Sequence, residues 1–165
     1  MLKSIVAALA LTATSVMTSW AGDPLYTFGE RHPEMEQAIV EARITLPKFL
    51  SAVTQPDNSL HPTSMLKVSV PVDAPNTEEE IIWVDSVSRE GSTFIGQLAN
   101  APNHMPGLTK GSQIQFEENA IFDWSIWGDD GKLYGNYTTR VMLPELDLET
   151  AQSLRNLLSE PRSPW

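Results

Sequence analysis

Hydrophobic positions between residues 33 and 53 recur at the spacing of an amphipathic helix. They are Met35, Ile39, Ala42, Leu46, Phe49 and Val53. The steps of four and three residues place these side chains on one helix face, and Pro33 suits a first helical turn. Pro47 lacks an amide donor and crowds the preceding turn, so we expect a kink or two short helices there.

After residue 60 the pattern changes to the alternation and short apolar runs that are typical of β-strands. The predicted strands cover residues 66–72, 81–84, 93–98, 113–116, 121–127 and 133–141. Pro71 indicates that the first strand is at a sheet edge or ends there. Asp129-Asp130-Gly131 predicts a hairpin, and Asp147 can cap a final helix that Pro161 ends.

These elements predict an α+β fold. The expected order is an N-terminal kinked helix, about six mostly antiparallel strands in a curled or barrel-like sheet, and a C-terminal helix. We expect a single domain at residues 22–165, with its core at about 33–143 and the last helix at about 147–159.

The first 21 residues have the pattern of a cleaved secretory signal peptide. Lys3 precedes the apolar run Ile5–Leu11, and Ser19-Trp20-Ala21 resembles a cleavage site with small residues before Gly22. The apolar run is too short for a membrane span, which needs about 20 residues. We therefore expect an exported, periplasmic protein, and its lack of cysteine means that packing alone must stabilise it.

The charge balance is acidic and narrows the range of partners. The chain has 21 acidic and 11 basic residues, for a net charge of −10, and removal of Lys3 would make it −11. An acidic surface repels nucleic acid, and no later segment is long or apolar enough to span a membrane. We therefore expect a protein partner, one with a basic surface.

The histidines do not form a metal-ligand pattern. His32, His61 and His104 are 29 and 43 residues apart, and no cysteine can complete a ligand set. The Asp129-Asp130-Gly131 segment fits a hairpin better than a calcium loop. We therefore expect neither a metal ion nor a cofactor.

Two segments are candidate binding sites. In the loop from Asn100 to Gly107, Asn100 and Pro102 either bind a ligand or only shape a turn. In the second segment, Asp123 and Trp124 lie in an otherwise apolar strand. Arg140, on the strand predicted to return beside it, would form a bidentate pair with Asp123, unless Asp123 is free to bind a ligand.

Glutamates also occur in runs, at 78–80 and 117–118, which we interpret as solvated surface. Several segments, in this order, resemble the YegJ-like bacterial proteins, whose shared domain has no known function. They are Ala42–Arg43, Pro47–Phe49, Gly96–Pro102, Leu108–Gly111, Ile121–Trp124, Gly131–Lys132 and Gly135–Arg140. The resemblance covers about Met35 to Leu143. It implies an exported protein of this size and supplies no catalytic residue or cofactor.

Two functions fit the sequence. The first is a non-enzymatic periplasmic module that binds a protein, as an immunity protein or inhibitor does. It rests on the acidic charge, the Asn100–Gly107 loop and the aromatic residues Trp83, Trp124, Trp127 and Tyr134. The alternative is a small hydrolase of an envelope polymer, which would use Asp123 or a glutamate together with His104.

Overall fold

The computed structural model describes residues 33–165. The predicted signal peptide and His32 lie outside the described residues. No helix in the described part of the chain is long and apolar enough to cross a membrane.

The first helix, α1, runs from Pro33 to Val53 without a break and contains Pro47. Its buried residues follow the predicted apolar face. They are Met35, Ala38, Ala42, Leu46, Phe49, Leu50 and Val53. Ile39 is only half-buried, and the buried face instead includes Ala38 and Leu50.

Six antiparallel strands form one sheet in the order β4-β3-β2-β1-β5-β6. The strands are β1 (Ser64–Ala74), β2 (Thr77–Glu90), β3 (Thr93–Leu98), β4 (Gln113–Glu117), β5 (Ile121–Trp127) and β6 (Leu133–Gly135). Among these strands β4 and β6 form the two edges, so the curled sheet is open and does not close into a barrel. The predicted α+β class is confirmed.

Pro71 lies in the part of β1 that has one neighbouring strand. β1 pairs with β5 only from Ser64 to Val68, whereas its pairing with β2 continues to Pro71 and resumes at Ala74. A residue without an amide donor is tolerated there because one side of the strand is not paired in the described sheet.

The helix α1 packs on the face of the sheet that contains Trp124. Trp124 is fully buried, and its ring stacks on that of Phe49 at 4.6 Å between centroids. Its indole N–H donates to the Ala42 carbonyl at 3.2 Å and to the Thr45 hydroxyl at 3.0 Å. This side chain therefore joins β5 to α1 and forms the centre of the core.

The predicted strand at 133–141 is wrong beyond Gly135. Gly135 and Asn136 have φ values of 74° and 55°, in the left-handed region, and this turn ends the strand. The chain continues as helix α2 (Tyr137–Met142). Helix α3 (Leu148–Leu157) follows, and the Asp147 carboxylate caps it by accepting from the Thr150 amide at 2.9 Å, as predicted.

Residues 158–165, here called the C-terminal strap, lie beside β6. The Ser159 amide donates to the Leu133 carbonyl at 2.9 Å, and the Gly135 amide donates to the Arg162 carbonyl at 2.7 Å. Arg162 also forms a 2.6 Å ion pair with Glu41 of α1. The strap therefore joins the β6 edge to the first helix.

Candidate functional site

Asp123 lies in a buried polar cluster. Its side chain is fully inaccessible, and one oxygen accepts from the Thr138 amide at 2.8 Å and the Thr138 hydroxyl at 2.7 Å. The other accepts from the Trp124 amide at 2.8 Å. The pKa of the Asp123 carboxyl is raised above its ordinary value, because the effect of burial exceeds the opposing effects of the Lys67 charge and the hydrogen bonds. Asp123 thus holds the first turn of α2 against β5.

Arg140 does not form the predicted bidentate pair with Asp123. It lies in α2 and donates to the carbonyls of Gly135 at 3.1 Å and Ser159 at 3.0 Å, and it pairs with Glu160 at 3.3 Å. The prediction failed because the chain becomes helical after Asn136, which removes Arg140 from the strand register. Arg140 instead connects α2 to the C-terminal strap.

The loop that contains Asn100 and Pro102 is held by a buried glutamate. Both residues are half-buried. Glu80 of β2 is 2% exposed, and its two carboxylate oxygens accept from the amides of Asn103 and His104, each at 2.7 Å. The interpretation of the 78–80 run as solvated surface is therefore wrong for Glu80.

Alternation along β2 could have identified Glu80. It has the same parity as Ile82 and Val84, which face the core, and its Cα partner on β1 is Val70. The prediction treated the three glutamates as one run before the strand, whereas β2 begins at Thr77.

An open groove lies at the end of the sheet where the β5–β6 hairpin meets the C-terminal strap. We call it the acidic–aromatic groove, and its volume is about 480 Å³. Its lining combines aromatic rings, two carboxylates and one imidazole. The lining residues are Ala52, Val53, His61, Ile126, Trp127, Gly128, Asp129, Asp130, Tyr134, Pro164 and Trp165.

The hairpin fixes Asp130 and Tyr134 relative to one another. The Tyr134 hydroxyl donates to Asp130 at 2.9 Å, and the Lys132 amide donates to the other Asp130 oxygen at 3.0 Å. A Cβ at Gly128 would lie 2.6 Å from the Tyr134 ring and 2.7 Å from the Asp130 carboxylate. Glycine at 128 therefore allows both side chains to lie against the turn.

The same hydrogen bonds keep a negative charge in the groove. The Lys132 amide and the Tyr134 hydroxyl lower the pKa of the Asp130 carboxyl, and the bond to Asp130 raises the pKa of Tyr134. The Lys132 ammonium donates to the Asn156 carbonyl at 2.6 Å. Within residues 33–165, neither Asp129 nor Asp130 forms an ion pair with a basic side chain.

His61 and Trp165 also line the groove. The Thr63 amide donates to His61 Nδ1 at 3.3 Å, so that nitrogen acts as an acceptor. Trp165 is 44% exposed, yet its ring packs on the buried rings of Phe49 and Trp124, with ring centroids 6.1 Å and 5.7 Å away, respectively. One face of Trp165 therefore extends the core, while the rest of the side chain is accessible.

The structure places the six predicted binding residues in four different environments. Tyr134 lines the groove. Asp123 and Trp124 are buried, Arg140 joins α2 to the strap, and the remaining pair lies on the loop held by Glu80. His61, Asp129, Asp130 and Trp165 were missed as site residues, and Trp127 was named only as an aromatic contributor to binding. The acidic turn between Trp127 and Tyr134 was a usable signal, because a tight hairpin brings its flanking side chains together.

No group of three or more His, Asp or Glu side chains that could hold a metal ion occurs in the described residues. In this part of the chain the groove lining has two acids and no lysine or arginine. Exposed aromatic faces beside carboxylates attract cations, because the ring face and the carboxylate are both negative. The groove can therefore bind a positively charged group that has an apolar stem.

Comparison with known proteins gives a family. Residues 32–156 match the model described as "Uncharacterized protein conserved in bacteria (DUF2314)". The chain belongs to this family. It is also similar to "Uncharacterized protein YegJ" of Escherichia coli (strain K12), at 29% identity over 156 residues that cover 93% of this chain and 97% of that protein. No solved structure matches.

The resemblance to YegJ-like proteins is thus confirmed. The DUF2314 match includes the β5–β6 hairpin and His61, whereas Pro164 and Trp165 follow its last matched residue. The groove therefore combines the family domain with the strap of this chain.

Proposed function

We propose that this DUF2314 protein is an exported, non-enzymatic binding module of the periplasm. It holds a protein partner with a basic surface, in the manner of an immunity protein or inhibitor. The observation that carries this proposal is the acidic–aromatic groove, whose two carboxylates form no ion pair with a basic side chain of the described residues.

Two carboxylates that the hydrolase alternative could use, Asp123 and Glu80, are occupied by structural hydrogen bonds. Asp123 is inaccessible and accepts hydrogen bonds from Trp124 and Thr138. Glu80 uses both oxygens to hold the amides of the loop that contains His104. A general acid or base must reach the proton it transfers, and neither carboxylate is available for that in this arrangement.

The overall charge supports a basic partner. A net charge of −10, or −11 after removal of Lys3, speeds the encounter with a positive surface and makes the association sensitive to salt. Aromatic residues at 127, 134 and 165 add the apolar contact area on which protein interfaces rely.

Co-purification from the periplasm tests this function. The full-length gene is expressed with an affinity tag inserted directly after Gly22 rather than at Trp165, which lines the groove, and the protein is recovered from the periplasmic fraction at low and high salt. Retained proteins are identified by mass spectrometry and rebound in purified form. We expect an N-terminus at Gly22, and a partner that is bound at low salt and released at high salt.

Matched variants locate the binding surface. The double variant Asp129→Asn/Asp130→Asn removes the groove charges, and Glu78→Gln/Glu90→Gln removes two exposed charges on β2. The first variant should lose the partner and the second should keep it. A folded protein that retains no partner at either salt concentration would contradict the proposed function, and a cytoplasmic protein that begins at Met1 would contradict export.

A further inference from the structure

We infer that the acidic–aromatic groove recognises one lysine or arginine side chain of the partner. This inference rests on the proposed function in that the partner is a protein, and it adds which chemical group of the partner is bound. The groove offers this group a negative charge, an aromatic wall and a rigid frame, and each of these has a separate origin in the structure.

The negative charge is held in place and is available. Asp130 accepts from the Lys132 amide and the Tyr134 hydroxyl, and both bonds favour the ionised carboxylate. The nearest basic side chain in sequence, Lys132, also lowers the pKa of Asp130 through its charge, but its ammonium group is hydrogen-bonded to the Asn156 carbonyl and forms no described ion pair with Asp130. An incoming ammonium or guanidinium group can therefore pair with Asp129 or Asp130 without displacing a described ion pair.

The aromatic wall suits the stem and the head of a basic side chain. Trp127 is 37% exposed, Trp165 is 44% exposed, and Tyr134 of β6 is half-buried. The methylene stem of lysine or arginine packs on such surfaces while its charge interacts with the ring face. A neutral polar side chain would gain only the packing contribution.

The size of the groove fits one such side chain and its flanking backbone. Its volume of about 480 Å³ lies within the range of about 300–1,000 Å³ that is typical of small-ligand pockets. An anionic ligand would be repelled by both carboxylates. The groove thus distinguishes cationic from neutral and anionic groups.

The frame of the groove is rigid on two sides. Gly128 lets the Tyr134 ring lie against the hairpin turn, where Tyr134 and Asp130 are hydrogen-bonded. On the other side Trp165 contacts Phe49 and Trp124, and Arg162 ties the strap to α1 through Glu41. Binding therefore costs little ordering of the protein, which favours recognition of a short ligand.

Short peptides provide the direct test. Acetylated and amidated Gly-Arg-Gly and Gly-Lys-Gly are titrated into the purified chain, with Gly-citrulline-Gly as the neutral isostere of the arginine peptide. The readout is the NMR chemical shift of the indole N–H groups, in which Trp127 and Trp165 are assigned by single Trp→Phe variants. We expect these two resonances to move with both charged peptides and the citrulline peptide to bind at least about tenfold more weakly.

Variants then decide whether the carboxylates act as inferred. Asp129→Asn/Asp130→Asn should weaken the arginine peptide at least about tenfold, and Glu78→Gln/Glu90→Gln should leave its affinity unchanged. Equal shifts with the citrulline peptide, or equal affinity in the groove variant, would overturn the inference.

The inference and the proposed function fail in distinguishable ways. A partner that is captured and rebound by the Asp129→Asn/Asp130→Asn variant would overturn the inference and leave the binding module in place. Peptide binding to the groove without any retained partner in the periplasm would support the inference and contradict the proposed function.

Discussion

Two aspartates that are seven residues apart, Asp123 and Asp130, have opposite roles in this protein. Each accepts hydrogen bonds from a neighbouring amide and from a hydroxyl group. Asp123 is fully buried under α2, where burial raises its pKa. Asp130 lines an open groove, where hydrogen bonds lower its pKa.

The difference shows that the surroundings of an acidic residue decide its role. All the hydrogen bonds of the buried carboxylate go to atoms that define the fold, so its loss should reduce stability. The groove carboxylate is exposed and forms no ion pair with a basic side chain of the described residues, so its loss should reduce binding.

The largest effect on stability should come from substituting a glycine in the buried region, and a glycine beside the groove is its control. Both Gly135 and Gly131 have positive φ, at 74° and 72°. A Cβ at Gly135 would lie 2.1 Å from the Trp124 carbonyl oxygen, whereas a Cβ at Gly131 meets nothing within 4 Å. Gly135→Ala should lower the free energy of unfolding by about 3–5 kcal/mol, and Gly131→Ala by about 1 kcal/mol.

Urea unfolding of both glycine variants checks this difference. If Gly135→Ala does not fold, the same ranking can be read from Gly135→Ala in the presence of a stabilising osmolyte. Equal losses in the two variants would mean that the backbone under Trp124 is not packed as described.

Removal of the buried carboxylate should have the next largest effect. Asp123→Ala leaves the amides of Trp124 and Thr138 without their acceptors, and we expect a loss of about 3 kcal/mol. The exposed Asp129 is the matched control, and Asp129→Ala should change stability by less than about 0.5 kcal/mol. The free energies of unfolding are measured by chemical denaturation, and similar losses in the two variants would contradict the different roles assigned to the two regions.

Glu80 of β2, which holds the Asn100–Gly107 loop, is a third carboxylate whose role can be compared. Glu80→Gln replaces one acceptor oxygen with an NH₂ group that faces a loop amide, so one of the two hydrogen bonds is lost. We expect a loss of about 1–2 kcal/mol, with faster hydrogen exchange at the amides of Asn103 and His104. Unchanged exchange at these two amides would show that the loop does not depend on Glu80.

A smaller effect should appear in the pH dependence of stability. Because burial raises the pKa of Asp123 in the folded state, folding favours its protonated form, although Lys67 and the hydrogen bonds oppose this. The stabilisation from this group is complete below its unfolded pKa of about 3.9 and is lost as the pH rises through the folded value.

The variant Asp123→Asn isolates this contribution because it cannot titrate. The stability advantage of the wild type over the variant, measured by urea unfolding from pH 4 to pH 8, should shrink as the pH rises. A growing advantage would mean that the folded state favours the ionised form instead.

The sequence predicted the elements well where one simple periodicity applied. The helix at 33–53, the strand at 121–127 and the Asp147 cap were predicted close to their observed positions. The strand at 133–141 was not, because the chain turns at Gly135 and Asn136, which have positive φ values, and continues as a helix. Local pattern does not reveal that Asp123, 15 residues earlier than Thr138, would stabilise that helix.

The candidate site could be predicted only in part. Tyr134 was identified as a binding residue, and Trp127 as an aromatic contributor. His61 and Trp165 join the groove through contacts between distant parts of the chain. The Thr63 carbonyl, two residues after His61, accepts from the Trp127 amide at 3.4 Å, and Trp165 packs on Trp124. Such long-range contacts leave no periodic signal in the sequence.

Thermal unfolding of three proteins, with and without the acetylated Gly-Arg-Gly amide, tests the separation of the two regions most directly. At about ten times its Kd the peptide should stabilise the wild type by about 1.4 kcal/mol, or about 3–6 °C in Tm. Asp129→Asn/Asp130→Asn should keep the wild-type Tm and lose the increase, whereas Asp123→Asn should have a lower Tm and keep the increase. A peptide-induced increase that persists in Asp129→Asn/Asp130→Asn, or that disappears in a folded Asp123→Asn, would contradict the account.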